Sequence, residues 1–131
     1  MEMLITFPGG KRVDAQYKGF TILTDQSKTH GGEESAPTPF QLFLASLATC
    51  AGIFVLGFCE KRGIPTDSIS LVQRMEKNGD TGMYDRISIE IRLPKDFPEK
   101  YVAAVIKSAN LCSVKKHIMT PPSFEIIATK E

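Results

Sequence analysis

Pro39-Phe40-Gln41-Leu42-Phe43-Leu44-Ala45-Ser46-Leu47-Ala48-Thr49-Cys50-Ala51-Gly52-Ile53-Phe54-Val55-Leu56-Gly57-Phe58-Cys59-Glu60-Lys61-Arg62 is the stretch that organises this chain. Apolar residues fall on nearly every side of a helix drawn through it, and a helix of that kind is buried all round. Thr38 is a suitable N-cap, with Pro39 at the first helical position. Gly63 followed by Pro65 ends it. At ~1.5 Å per residue such a helix is roughly 36 Å long, more than a small domain wraps alone. A second copy of the chain is the expected cover for the remaining face.

Length and polarity make a membrane span the rival reading, since no charge occurs between Glu34 and Glu60. Gln41, Ser46 and Thr49 interrupt the run, however, and strand-patterned soluble sequence flanks it on both sides. We therefore expect no membrane partner.

Upstream, Met3–Phe7, the alternating Val13, Ala15 and Tyr17, and Phe20–Thr24 read as three short strands. A loop, Asp25–Thr38, holds Gly31-Gly32 and two prolines. Downstream, Ile69–Lys77 and Tyr84–Leu93 read as a hairpin about Asn78–Gly82. In its second arm Ile87, Ile89, Ile91 and Leu93 share one face. Pro98 and Glu99 open an amphipathic helix carrying Tyr101, Val102, Val105, Ile106 and Ala109 on one side. Ser113–Met119 reads as a short helical turn, and Phe124–Thr129 as a closing strand. The order specifies an α+β fold, and 131 residues are expected to form a single domain, 1–131.

The net charge of +1 gives no electrostatic footprint for nucleic acid. Met1–Gly10 lacks the plan of a signal peptide. Three cysteines, an odd number, do not suit a secreted disulfide scaffold. Free thiols in a reducing, cytoplasmic compartment are expected.

Cys50 and Cys59 lie nine positions apart. At ~100° per residue they point to opposite sides of a helix, separated by roughly 13 Å of rise. They cannot bond within it, because a disulfide requires Cα atoms within about 7 Å. Any intramolecular bond includes Cys112, and spacing permits Cys50–Cys112 or Cys59–Cys112. The bland alternative is that all three are small buried hydrophobes. Zinc is not expected: there is no Cys-x-x-Cys, and Cys112 and His117 have no matching pair at finger spacing. Lys115-Lys116-His117 is a cationic run beside Cys112, of the kind that lowers a thiol's pKa. No phosphate-binding glycine loop or nucleophile elbow occurs, and no cofactor is expected.

The stretch Pro37–Cys50, with Cys50 eleven positions after Pro39, resembles the signature of the OsmC/Ohr family, the osmotically inducible and organic-hydroperoxide-resistance proteins. Leu111-Cys112-Ser113-Val114-Lys115-Lys116-His117-Ile118 resembles that family's second cysteine and the short helix after it. The resemblance implies an OsmC-like fold assembled as an intertwined homodimer. It implies a thiol-dependent peroxidase acting on organic hydroperoxides, with hydrogen peroxide as the secondary substrate. Cys50 would be the peroxidatic thiol and Cys112 the resolving one, with an external dithiol as reductant. The family's glutamate after the motif proline is Phe40 here, with Gln41 beside it, and Ser113 stands where proline is common. Arg12 is the candidate for the family's thiolate-stabilising arginine, with Gln41 assisting. Phe40, Phe43, Leu47 and Phe54 are the expected pocket. The alternatives are a redox sensor or small apolar-ligand binder on the same fold, and a dimeric domain with inert thiols.

Overall fold

The computed structural model describes residues Met1–Lys130. They fall into two compact units, Met1–Ala45 and the chain from Ser46 onward. The first holds an antiparallel meander of β1 (Leu4–Gly9), β2 (Arg12–Tyr17) and β3 (Phe20–Ile22), in that order. Tyr17 pairs with Phe20 across a two-residue turn in which Lys18 and Gly19 both have positive φ. That is the turn geometry whose twist matches the flanking strands. The third strand stops at Ile22, two residues short of expectation. Thr24 turns its hydroxyl to the Val13 carbonyl.

Asp25, almost fully buried, organises the loop that follows. Its carboxylate accepts the N–H of Gln26 at 2.7 Å, and the N–H (3.1 Å) and hydroxyl of Ser35. These hydrogen bonds, that of the Ser35 hydroxyl foremost, hold its pKa at about 2. At Gly32 a Cβ would stand 2.1 Å from the Gln26 carbonyl oxygen, so close approach requires the glycine.

The central helix α1 (Pro39–Glu60) starts in the first unit and continues into the second. Thr38 and Gln41 close a reciprocal capping box. The Gln41 N–H donates to Thr38 Oγ1 (3.2 Å), and the Thr38 N–H donates to Gln41 Oε1 (2.9 Å). At the other end Ile64 N–H reaches the Cys59 carbonyl (2.9 Å) and Gly63 N–H the Glu60 carbonyl (3.2 Å). Gly63 takes the left-handed conformation that this C-terminal motif needs.

α1 is long and apolar enough to cross a membrane by length and composition. The chain does not bury it on every side, as its sequence had led us to expect. In the second unit Leu47, Ala51, Val55, Phe58 and Cys59 are buried, while Ile53 is 59% exposed. One chain supplies elements enough for a single face.

β4 (Ser70–Lys77) and β5 (Tyr84–Arg92) form the expected hairpin, pairing Ser70 with Arg92 through Glu76 with Arg86. The Asn78 side chain accepts the N–H groups of Asp80 and Thr81 and closes the turn. A 3-10 turn, Glu99–Tyr101, leads into α2 (Val102–Ala109), and α3 (Ser113–Met119) follows. The core of this unit is Val55, Phe58 and Cys59 of α1 with Phe97 and Val105, flanked by Leu71 and Ile91. Phe124–Thr129, read as a closing strand, pairs with no strand among the described residues.

Candidate active site at the helix thiols

Cys50 lies in α1, one helical turn beyond Leu47, and is half-buried. Cys112 is the N-cap of α3 and is buried. Its sulfur accepts the Lys115 N–H at 3.4 Å and faces the Leu47 carbonyl at 3.8 Å. Ser113 Oγ lies 3.7 Å from Cys50 Sγ. The start of α3 therefore sets a thiol, a hydroxyl and unpaired backbone N–H groups beside Cys50. A helix's first N–H groups have no intrahelical acceptor, so a nearby sulfur satisfies them.

These contacts lower the Cys50 pKa from the ordinary thiol value to about 7. The Val114 N–H contributes most. Burial opposes it, and the Cys112 thiol, the Ser113 hydroxyl and the Ser113 N–H assist. The leading contributions are neutral hydrogen bonds, a source that a search of the sequence for cations does not find. The start of a helical turn at Ser113 was its only trace there. Cys59 has the opposite character. It is fully buried, and burial pushes its thiol pKa up against the opposing pull of the Arg62 charge. All three cysteines are free.

The alkylation rate of Cys50 is accordingly expected to rise with a midpoint near pH 7. Ser113→Pro removes both the hydroxyl and the N–H. Proline suits the first helical position, so α3 should persist while the midpoint moves upward. A midpoint unchanged in that variant would dissociate Ser113 from the thiolate. Folding lowers this pKa, so the thiolate contacts stabilise the fold fully above the ordinary thiol pKa of about 8.5. That contribution is lost as pH falls through about 7.

Behind Cys112 lies a cavity of about 590 Å³. Ile87, Ile89, Ile91 and Leu93, the alternating face of the second hairpin arm, line it together with Leu47, Ala51, Val102, Ile106 and Ile118. Cys112 contributes to the lining and Cys50 does not.

A family model described as OsmC-like protein matches residues 31–127. The chain belongs to the OsmC-like family. Solved structures similar to it include one from Psychrobacter arcticus 273-4 described as an osmotic stress induced and detoxification response protein. That structure has a TM-score of 0.72 at 21% identity, over 87% of this chain and 85% of that one. An organic hydroperoxide resistance protein OsmC from Legionella pneumophila has a TM-score of 0.54 at 17% identity, over 90% of this chain and 89% of that one. The organic hydroperoxide resistance protein OhrB of Bacillus subtilis has 0.51 at 18%, over 89% and 90%. At such identities the likeness is one of fold. No curated protein sequence matches the chain significantly.

Against the OsmC-like pattern, the expected site residues divide. Cys50 and Cys112 are both in contact with the start of α3. Gln41, expected beside the thiolate, accepts the Thr38 N–H with its carbonyl in the capping box at the start of α1. Arg12 opens β2 in the first unit. Of the four expected pocket residues, Leu47 lines the cavity, and Phe40, Phe43 and Phe54 do not. Phe40 and Phe43 instead pack on each other, ring centroids 5.6 Å apart. They are successive apolar residues on one side of the first turns of α1 and so satisfy each other locally. Among the described residues no group of three or more His, Cys, Asp or Glu side chains converges as a metal site would.

Proposed function

We propose that this protein is a cysteine-based peroxidase of the OsmC-like family that reduces organic hydroperoxides. The observation that carries the reading is the Cys50 thiol, held near pKa 7 by the start of α3, whose N-cap is a second thiol, Cys112. A thiolate populated at neutral pH is the species that attacks peroxide. Its sulfur attacks the terminal oxygen of ROOH. An S–O bond forms, the O–O bond breaks, and the alkoxide leaves and takes up a proton as ROH. Cys112 sulfur then attacks the Cys50 sulfenic acid, the S–S bond forms, and water departs. An external dithiol reduces the disulfide, returns both thiols and is itself oxidised to a disulfide.

Peptide mapping after a stoichiometric dose of an alkyl hydroperoxide tests the scheme. The expected bond is Cys50–Cys112, with Cys59 alkylated as a free thiol after unfolding. Cys59 in the bond, or no bond, would overturn the roles. Sustained peroxide consumption with a dithiol separates this reading from a redox sensor, which would react once and stop. Arg12 enters on the family resemblance as a further support for the thiolate. Arg12→Ala raising the Cys50 alkylation midpoint is the result that would sustain it, and an unmoved profile would remove it.

The working form in this reading is a homodimer in a reducing compartment, the cytoplasm. Its support is apolar surface that one chain leaves open: Phe7, Phe20, Ile53, Phe124 and Ile126 are all more than half exposed. Sedimentation equilibrium is expected to return twice the chain mass, and a monomer at micromolar concentration would refute it.

A further inference from the structure

We propose that α3 is a redox-controlled cover, fastened while Cys112 is a thiol and released when Cys112 enters a disulfide with Cys50. The proposal rests on the peroxidase reading for that bond and adds what the bond does to the fold around it. In the thiol form the Cys112 sulfur is the N-cap of α3 and accepts the Lys115 N–H at 3.4 Å. It is also 2% exposed. Thiol–disulfide exchange depends on access to the sulfur attacked, so a dithiol cannot act on Cys112 where it lies. Little besides this sulfur fastens the start of α3. The helix has seven residues, fewer than an isolated helix needs to persist in water. Val114 is half-buried, and every other residue of α3 is exposed. The first turn holds no acidic residue and does hold Lys115, a cation at the helix end where positive charge is unfavourable.

Bond formation withdraws the cap. The Cys112 sulfur takes a covalent partner on α1, and a neutral disulfide sulfur is a poor hydrogen-bond acceptor. The Lys115 N–H then rejoins the unsatisfied donors of the helix start. The bond tethers residue 112, but it fixes none of the backbone angles of Ser113, Val114 and Lys115, so it does not replace the cap. Losing an N-cap favours helix opening about tenfold. In the oxidised chain α3 opens and brings the Cys112 sulfur within reach of the dithiol. Reduction returns the thiol, the cap and the closed cover. The reduced protein thus shields its second thiol, and the oxidised protein presents the bond that has to be reduced.

Amide hydrogen exchange of the full chain, resolved by residue, tests this. Diamide makes the bond without peroxide: the two thiols give two electrons and two protons to its N=N bond, which becomes a hydrazine, and the S–S bond forms. Peptide mapping identifies the bond as Cys50–Cys112. Exchange at Lys115, Lys116 and Thr120 is expected to be about tenfold faster in the oxidised protein. The Lys61 and Ile64 amides, which donate to the Gly57 and Cys59 carbonyls at the end of α1, should not change. Lys115→Glu gives α3 a carboxylate that reaches back to the Cys112 N–H and favours the helix start without the sulfur. Exchange in that oxidised variant should stay within about twofold of its reduced form. Equal α3 exchange in both redox states of the mapped wild-type protein would overturn the proposal and leave the peroxidase reading standing. Acceleration that Lys115→Glu fails to suppress would overturn it as well, because its cause would not be the lost cap. A map without the Cys50–Cys112 bond would overturn this proposal and the resolving role of Cys112 together.

Discussion

Replacing Cys50 by serine is expected to lower hydroperoxide turnover at least about a thousandfold, because it removes the nucleophile that attacks the peroxide. A serine hydroxyl stays protonated where the thiol is already substantially ionised, with a pKa of about 7. Cys112→Ser should behave differently. Serine is among the best N-cap residues, so it can take over the Lys115 N–H that Cys112 sulfur now accepts, and α3 should remain in place. Cys50 would then reduce one equivalent of peroxide and stop as a sulfenic acid, visible as a single-turnover burst trapped by a sulfenate-specific reagent. Cys59→Ser should leave turnover unchanged, since burial keeps that thiol protonated. Full turnover by the Cys50→Ser protein would remove Cys50 from the chemistry. Full turnover by the Cys112→Ser protein would show that the external reductant, and not Cys112, resolves the sulfenic acid.

The largest loss of stability is expected at Phe58. Its ring is buried in the core with Val55, Cys59, Phe97 and Val105. The ring of Tyr101 meets it edge-on at 5.7 Å, and the Arg62 guanidinium covers it at 3.6 Å from the centroid. Arg62 also donates to the Phe58 carbonyl at 3.0 Å, so the side chain that ends the helix is tied to the ring beneath it. Phe58→Ala removes a buried aromatic and opens a cavity, at a cost of about 3–5 kcal/mol. Arg62→Ala should cost less, about 1–2 kcal/mol, because a cation–π contact near the surface is weaker than a filled core. Urea denaturation at fixed m-value measures both. In a double-mutant cycle the two effects should fall short of additivity, since the ring is the platform for the guanidinium. A cost below 1 kcal/mol for Phe58→Ala would mean that the core does not depend on this ring.

Much of the fold was legible because its signals are local. The Thr38–Pro39 start and Gly63 stop of α1 are capping chemistry, decided within a few residues. The common face of Ile87, Ile89, Ile91 and Leu93 follows from the two-residue period of a strand, and the structure turns all four into one cavity. The signature from Pro37 to Cys50 marked the family that the 31–127 match establishes. Helix geometry alone separated Cys50 from Cys59.

Period and capping say which side chains share a face, but not what lies opposite that face. The apolar circumference of α1 was plain, yet one chain covers only the side bearing Leu47, Ala51, Val55 and Phe58. Phe40, Phe43 and Phe54 are as apolar as Leu47 by sequence, and the packing of β5, α2 and α3 places Leu47, of these four, against the cavity behind Cys112. Phe124–Thr129 has a strand's pattern, but a strand exists only against a partner edge, and none of the described strands offers one. By itself the sequence determined the helices, the hairpin and the exclusion of a Cys50–Cys59 bond, all of which depend on neighbours a few residues apart. Only the tertiary structure decided how Cys50 is tuned. The groups that do so, the Val114 N–H and the Ser113 hydroxyl, lie more than 60 positions away along the chain and become donors to that sulfur only when α3 packs against α1.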